Sequence, residues 1–346
     1  MSSEPFIDAT GRFGSVSRRE LLAASAGMAS AYFAASASGQ ERAKKTADPG
    51  PLARSPKTYD MKKSINLWAF PYPDRMSLRA CFELAKRAGF DGIEVNFNLD
   101  NDLSPKASEQ DLRAIGKMAR DIGIAISGMC TFLYWPYPFT ADDPNVRAKA
   151  LELAGQMIRA CHLIGTDNLL VVPGAVFVPW MKDVKEIPLA VCDRRAREAV
   201  GKLVPQAEAL GVHLNIENIF VSGYLMTAGE MNAFVDGFKS DHVHVHFDTG
   251  NIMFFQFPQD YIPQLGRRIR NVHLKEYSKR STDYTIEGFR PLLDGTTDWP
   301  AVMAAFDAIG YRGYLMFEYF HPFAHYPEAL IYQTSDALDR LLGRKT

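Results

Sequence analysis

An excess of charge of either sign is missing from this chain: 39 Lys and Arg stand against 40 Asp and Glu, a net charge of −1 over 346 residues. Without a basic surplus there is no electrostatic footprint for a nucleic-acid backbone, and without an acidic run there is no self-repelling tail. Long hydrophobic runs are missing too. The most apolar stretch, from Leu21 to about Ala35, is too short and too rich in Ala, Ser and Gly for a stable membrane span. Cysteine is scarce, and Cys81, Cys130, Cys161 and Cys192 show no C-x-x-C spacing. These four read as small buried apolar residues rather than metal ligands, with a disulfide left open for an exported chain. A glycine-rich phosphate loop is absent after the first strand-like segment. What is plentiful is core material: 47% of the residues are hydrophobic, enough for one large core.

The N-terminus reads as a targeting segment. Ser17-Arg18-Arg19-Glu20-Leu21-Leu22 opens a mild apolar stretch, and Ala35-Ser36-Ala37 supplies a small-residue cleavage site. Twin arginines before such a stretch resemble a Tat export signal. The resemblance implies export to the periplasm or another extracytoplasmic space, with no stable membrane span after processing; retention as an uncleaved anchor is the alternative. Residues 1–37 are therefore expected to be a signal peptide. Residues 38–60, polar and carrying Lys44-Lys45 and Pro49-Gly50-Pro51, are expected to be a flexible linker.

From residue 61 to 346 the pattern alternates eight times between strand and helix. Strands are expected at 64–70, 91–97, 124–130, 168–173, 212–218, 243–248, 271–276 and 313–319, each a short apolar run of the kind buried on both faces. Helical periodicity follows at 77–88, 108–122, 145–164, 193–210, 227–238, 259–269, 299–309 and 326–343. Gly89, Gly123, Gly165, Gly211 and Gly310 stand at five helix ends, where a left-handed cap favours glycine. Repeated βα units give a closed barrel or an open doubly wound sheet. Eight units without a phosphate loop favour a single (β/α)8 TIM barrel with no second domain. Two connections are long and aromatic: 131–144, with Phe132, Tyr134, Trp135, Tyr137 and Phe139, and 174–192, with Phe177 and Trp180. Both leave the catalytic end, where flat rings suit a sugar pocket; a lid on the barrel or a homo-oligomer contact is the competing use.

Four residues close consecutive apolar runs: Glu217 after Leu214-Asn215-Ile216, Asp248 after Val243 to Phe247, His273 after Asn271-Val272, and Glu318 after Tyr314 to Phe317. In a parallel barrel the C-terminal ends of the strands converge on one mouth. Two Glu, one Asp and one His meeting there make a hard, oxygen-rich site for one divalent metal. His244 and His246 share a strand with Asp248 and are expected to pack in the barrel or support the ligands.

Asn215-Ile216-Glu217-Asn218, Phe247-Asp248-Thr249-Gly250-Asn251, Val272-His273-Leu274-Lys275-Glu276 and Phe317-Glu318 resemble the xylose-isomerase-like barrel superfamily, and within it the sugar phosphate isomerase/epimerase group. The resemblance covers about residues 62 to 345. It implies that Glu217, Asp248, His273 and Glu318 bind the metal, with Mn2+ favoured and Co2+, Mg2+ or Zn2+ as alternatives. It also implies that Glu217 and Glu318 do the proton chemistry on a small carbohydrate, through an enediolate. Asn251, Lys275 and Trp135 are expected near the substrate, and Glu94, at a position like the family's pocket floor, is expected either to accept a hydrogen bond from substrate or to anchor a residue behind the ligands. Asn251 stands where several ketose 3-epimerases carry a histidine, which leaves a hydrogen-bonding group without a charge. The expected activity is a metal-dependent sugar isomerase or epimerase. A lyase or dehydratase using the same proton abstraction on a keto-sugar or glycoside is the alternative. An endonuclease-IV-like nuclease is disfavoured because eight histidines are not arranged for a three-metal cluster and the charge is neutral.

Overall fold

Eight parallel strands close into a ring in the computed structural model, which describes residues 5–7, 13–15, 57–178, 180–181, 184–280 and 285–345. The strands are β1 Lys62–Asn66, β2 Gly92–Asn96, β3 Ala125–Cys130, β4 Asn168–Val171, β5 His213–Glu217, β6 Val243–Asp248, β7 Ile269–Leu274 and β8 Tyr314–Phe317, with β8 pairing back to β1. The helices between and after them are α1 Leu78–Ala88, α2 Glu109–Ile122, α3 Pro144–Ile164, α4 Leu189–Leu210, α5 Ala228–Asp236, α6 Pro258–Leu265, α7 Trp299–Ala308 and α8 Pro327–Leu341. The expected single (β/α)8 barrel is the observed fold. Of the expected signal peptide only a short antiparallel pair, Pro5–Ile7 with Phe13–Ser15, lies among the described residues, and most of the expected linker lies outside them. No helix among the described residues is long and apolar enough to cross a membrane.

Local rules account for most boundaries. Gly89, Gly123, Gly165 and Gly211 end α1 to α4 in the left-handed region, with φ of 90°, 77°, 89° and 65°. The first strand ends earlier than expected. Asn66 turns the chain by accepting the amide of Trp68 on its side chain, so Leu67–Ala69 is a 3-10 turn rather than strand. Helix α4 begins four residues before its expected start, after Pro188, whose fixed φ suits a helix start. All four cysteines are buried and unpaired.

The core is continuous around the ring, and the interior of the barrel is partly polar. Ser64 and Ser127 hydroxyls meet at 2.7 Å, and Asn215 donates to Asn168 at 3.1 Å. Beyond β7 the chain forms a small hairpin, Glu276–Tyr277 with Phe289–Arg290. Glu276 anchors it: its carboxylate accepts from the Thr297 hydroxyl and the Trp299 indole, both at 2.6 Å, and from the Tyr277 amide at 3.0 Å.

Candidate functional site

Strand register brings the four expected ligands together. Asp248 lies opposite His273 across β6 and β7, and Met316 lies opposite His273 across β7 and β8, two residues before Glu318. Glu217 ends β5, which pairs with β6. One ligand atom from each of Glu217, Asp248, His273 and Glu318 lies within 4.8 Å of the others, and all four residues are buried. His273 Nδ1 is 3.2 Å from Glu217 Oε1, 3.4 Å from Glu318 Oε2 and 4.0 Å from Asp248 Oδ2.

The remaining motif residues build the frame. Asn218 pairs its amide with the backbone of Asp248, accepting at 2.9 Å and donating at 2.8 Å. Asp248 Oδ1 accepts the amides of Gly250 and Asn251, both at 2.8 Å, which leaves Oδ2 turned to the cluster. Thr249 and Lys275 exchange hydrogen bonds through the Thr249 hydroxyl. Gly250 must be glycine here, because a Cβ would sit 2.9 Å from the Cβ, Cγ and carbonyl oxygen of Lys275. Asn218 and Thr249 were not singled out from sequence, although both flank ligands within quoted motifs.

Lys275 supplies a positive charge inside the cluster. Its ammonium lies 2.9 Å from Asp248 Oδ2, contacts Glu318 Oε2, and sits over the rings of Phe289 and Phe320 at 4.8 and 5.0 Å. These ion contacts lack hydrogen-bond geometry, so Asp248 Oδ2 and Glu318 Oε2 remain buried acceptors without a hydrogen-bond donor. Burial pushes the Glu217 carboxyl up to about 7, only partly opposed by His273. Burial would raise Glu318 as well, but the charges of His273 and Lys275 outweigh it and hold that carboxyl down at about 2. Burial also raises Asp248, against the pull of Lys275. Three crowded carboxylates, with two acceptor oxygens lacking donors, fit a divalent cation by charge and by donor type.

Of the two uses expected of Glu94, the structure places it behind the ligands. It is not among the residues lining the cavity above the cluster. It is fully buried in the middle of β2, where its Oε2 meets His273 Nε2 at 2.7 Å and accepts from Asn66 at 2.5 Å. It thus orients the imidazole so that Nδ1 faces the carboxylates. Gly128 makes room for it, since a Cβ there would be 3.1 Å from Glu94 Oε1. His246 is buried in the barrel with its ring centroid 4.1 Å from that of His273, and neither of its nitrogens has a hydrogen-bond partner. His244 is half-buried near the other end of its strand, tilted against His213 and bonded to the Asp241 carbonyl, far from any role with Asp248.

Above the cluster opens a cavity of about 270 Å³, whose lining includes Glu217, Glu318, Asn251, Lys275 and Trp135. The two long loops contribute Phe132, Trp135 and Trp180 as expected, whereas Tyr134 and Phe139 are buried core. Trp68, Phe289 and Phe320, none anticipated, complete the aromatic wall.

Residues 82–341 match the model of the xylose isomerase-like TIM barrel. The chain belongs to that family. Its curated relatives include an L-ribulose 3-epimerase and two putative L-ribulose-5-phosphate 3-epimerases. The L-ribulose 3-epimerase of Mesorhizobium japonicum is 26% identical over 264 residues, covering 75% of this chain and 77% of that protein. A solved L-ribulose 3-epimerase superposes with a TM-score of 0.68 at 21% identity, over 82% of this chain and 96% of that one. A D-psicose 3-epimerase solved in the presence of D-fructose gives 0.66 at 20%, over 82% and 100%. These xylose isomerase-like barrels share the fold described here.

Proposed function

We propose that this family member is a divalent-metal-dependent sugar epimerase or isomerase. It would remove a proton from the carbon beside a carbonyl and return one, through an enediolate. The observation that carries the reading is the convergence of Glu217, Asp248, His273 and Glu318 under an open cavity at the mouth of the barrel. The kinship with sugar 3-epimerases supports it. Three carboxylates and one imidazole suit Mn2+ first, with Co2+, Mg2+ and Zn2+ as alternatives. When bound, such an ion polarises the substrate carbonyl and acidifies the neighbouring C–H.

The chain's own residues do the rest. Glu217 and Glu318 both border the cavity, and each can give one carboxylate oxygen to the ion and keep the other for a substrate proton. Glutamates meeting a sugar from two sides can take a proton from one face and deliver one to the other, which inverts the carbon. Asn251 and Lys275 also border the cavity, the amide donating to the Asn218 carbonyl and the ammonium held by Asp248 and Glu318.

The test is solvent exchange. The Mn2+-loaded protein, incubated in D2O with a panel of free ketoses and keto-sugars, should wash deuterium into the carbon next to the carbonyl, read by NMR. Glu217→Gln and Glu318→Gln should each lower that rate by roughly 10²–10⁴-fold while retaining some metal. No exchange with any sugar by the metal-loaded protein would sink the reading. Near wild-type rates in both variants would move the base elsewhere.

A further inference from the structure

The cavity joins the charged cluster to a wall of rings. Glu217, Glu318, Lys275 and Asn251 form its base, beside the cluster. Most of the remaining wall is aromatic, Trp68, Phe132, Trp135, Trp180, Phe289 and Phe320, with Thr131 and Tyr319 among the rings and Phe289 and Phe320 lying over the Lys275 ammonium. The rings form packed sets. Trp68, Phe132 and Phe320 lie with centroids 5.0 to 5.6 Å apart, and Trp135 meets Trp180 edge-on at 5.1 Å. The charged residues of the upper lining are Glu287 and His321, both exposed at the rim. Phe132 is 47% exposed although it faces this opening, as a surface awaiting an apolar partner would be. A neighbouring cavity of about 190 Å³ shares Trp135 and Val172 with the first and is lined largely by apolar groups, Tyr134, Pro138, Val178 and Ile187 among them.

A free sugar carries hydroxyls at both ends. It can stack one face on these rings and reach the indole N–H groups of Trp68, Trp135 and Trp180 or the Tyr319 hydroxyl, but it leaves much of the ring surface, Phe132 above all, in water. A phosphosugar fits less well. Among the described residues no arginine lines the cavity, and its lysine, Lys275, is already engaged by Asp248 and Glu318.

We infer that the substrate is a neutral keto-sugar bearing an apolar substituent, an aryl or alkyl glycoside with a carbonyl in its sugar ring, with that ring at the carboxylate base and the aglycone between the aromatic walls. This rests on the reading of the base as a sugar site and adds the chemical class of what occupies the space above it. The substituent would stack on Trp135 and Phe320 and displace water from Phe132.

Binding separates this inference from the activity it rests on. Matched phenyl and methyl β-D-glucosides and β-D-galactosides, with glucose 6-phosphate as the charged competitor, are titrated calorimetrically into the Mn2+-loaded protein. The phenyl member of at least one pair should bind about tenfold tighter than its methyl partner. Phe132→Ala and Phe320→Ala, both at partly exposed positions and checked for folding by circular dichroism, should shrink that ratio to about twofold. Equal affinity of phenyl and methyl partners, no binding of either phenyl glycoside, or tighter binding of the sugar phosphate would overturn the inference. Preference for phenyl glycosides without deuterium exchange on any keto-sugar would leave the cavity assignment standing and fail the epimerase reading. Exchange on free ketoses without phenyl preference would do the reverse.

Discussion

At the scale of single residues, Glu94 changes the account of the site most. Its carboxylate holds the far nitrogen of His273, so the imidazole meets the other carboxylates through Nδ1. A neutral amide in its place would keep the shape and lose the charge that draws the proton onto Nε2. Glu94→Gln should therefore weaken Mn2+ binding by about 10–100-fold, measured by competition with a chelator, with little change in melting temperature. Unaltered affinity would mean that the 2.7 Å contact is incidental. Glu94 stood out in the sequence as a carboxylate within a strand, but its depth did not. That depth comes from the register slip between β2 and β3 at Ile93 and Glu94 and from the missing Cβ of Gly128, neither of which a one-dimensional pattern records.

Whole elements were easier to read. The strands of the ring are covered on both faces, and the four ligands lie at or beside the C-terminal ends of four consecutive strands, β5 to β8. The aromatic wall was less legible. Trp68, Phe289 and Phe320 come from three distant segments and look in sequence like any core aromatic; only the closing of the ring gathers them. The opposite ends of β5 and β6 carry a different feature, a stack of His213 on His242 with centroids 4.6 Å apart and His244 at 5.0 Å from His213. Burial lowers His213 to about 4, helped by Arg270 and by the two neighbouring imidazoles, with Asp167 opposing. The unfolded chain thus binds this proton more readily than the folded one. Stability should fall as pH drops from about 6.5 towards 4. Comparing urea midpoints at pH 7 and 4.5, His213→Asn should lose less stability on acidification than the wild type. An identical loss in both would assign the acid sensitivity to other groups.

On the scale of the whole molecule, export is an expectation carried by residues outside the barrel. Replacing Arg18 and Arg19 with Lys should trap the protein in the cytoplasm, and unchanged fractionation would rule out the twin-arginine route. Such a route carries folded cargo, which matters because of where Glu318 lies. It directly follows β8, the strand that bridges β7 and β1. A chain still lacking that strand holds Glu217, Asp248 and His273 on an open sheet, with Glu318 free to wander. The fourth ligand arrives in the same event that seals the ring. Loading and closure are in this sense one transaction, and a cation held by all four residues certifies a finished barrel. If the chain is sealed before it crosses a membrane, the ion inside would record the metal supply of the compartment where folding ended, whatever the concentrations on the far side.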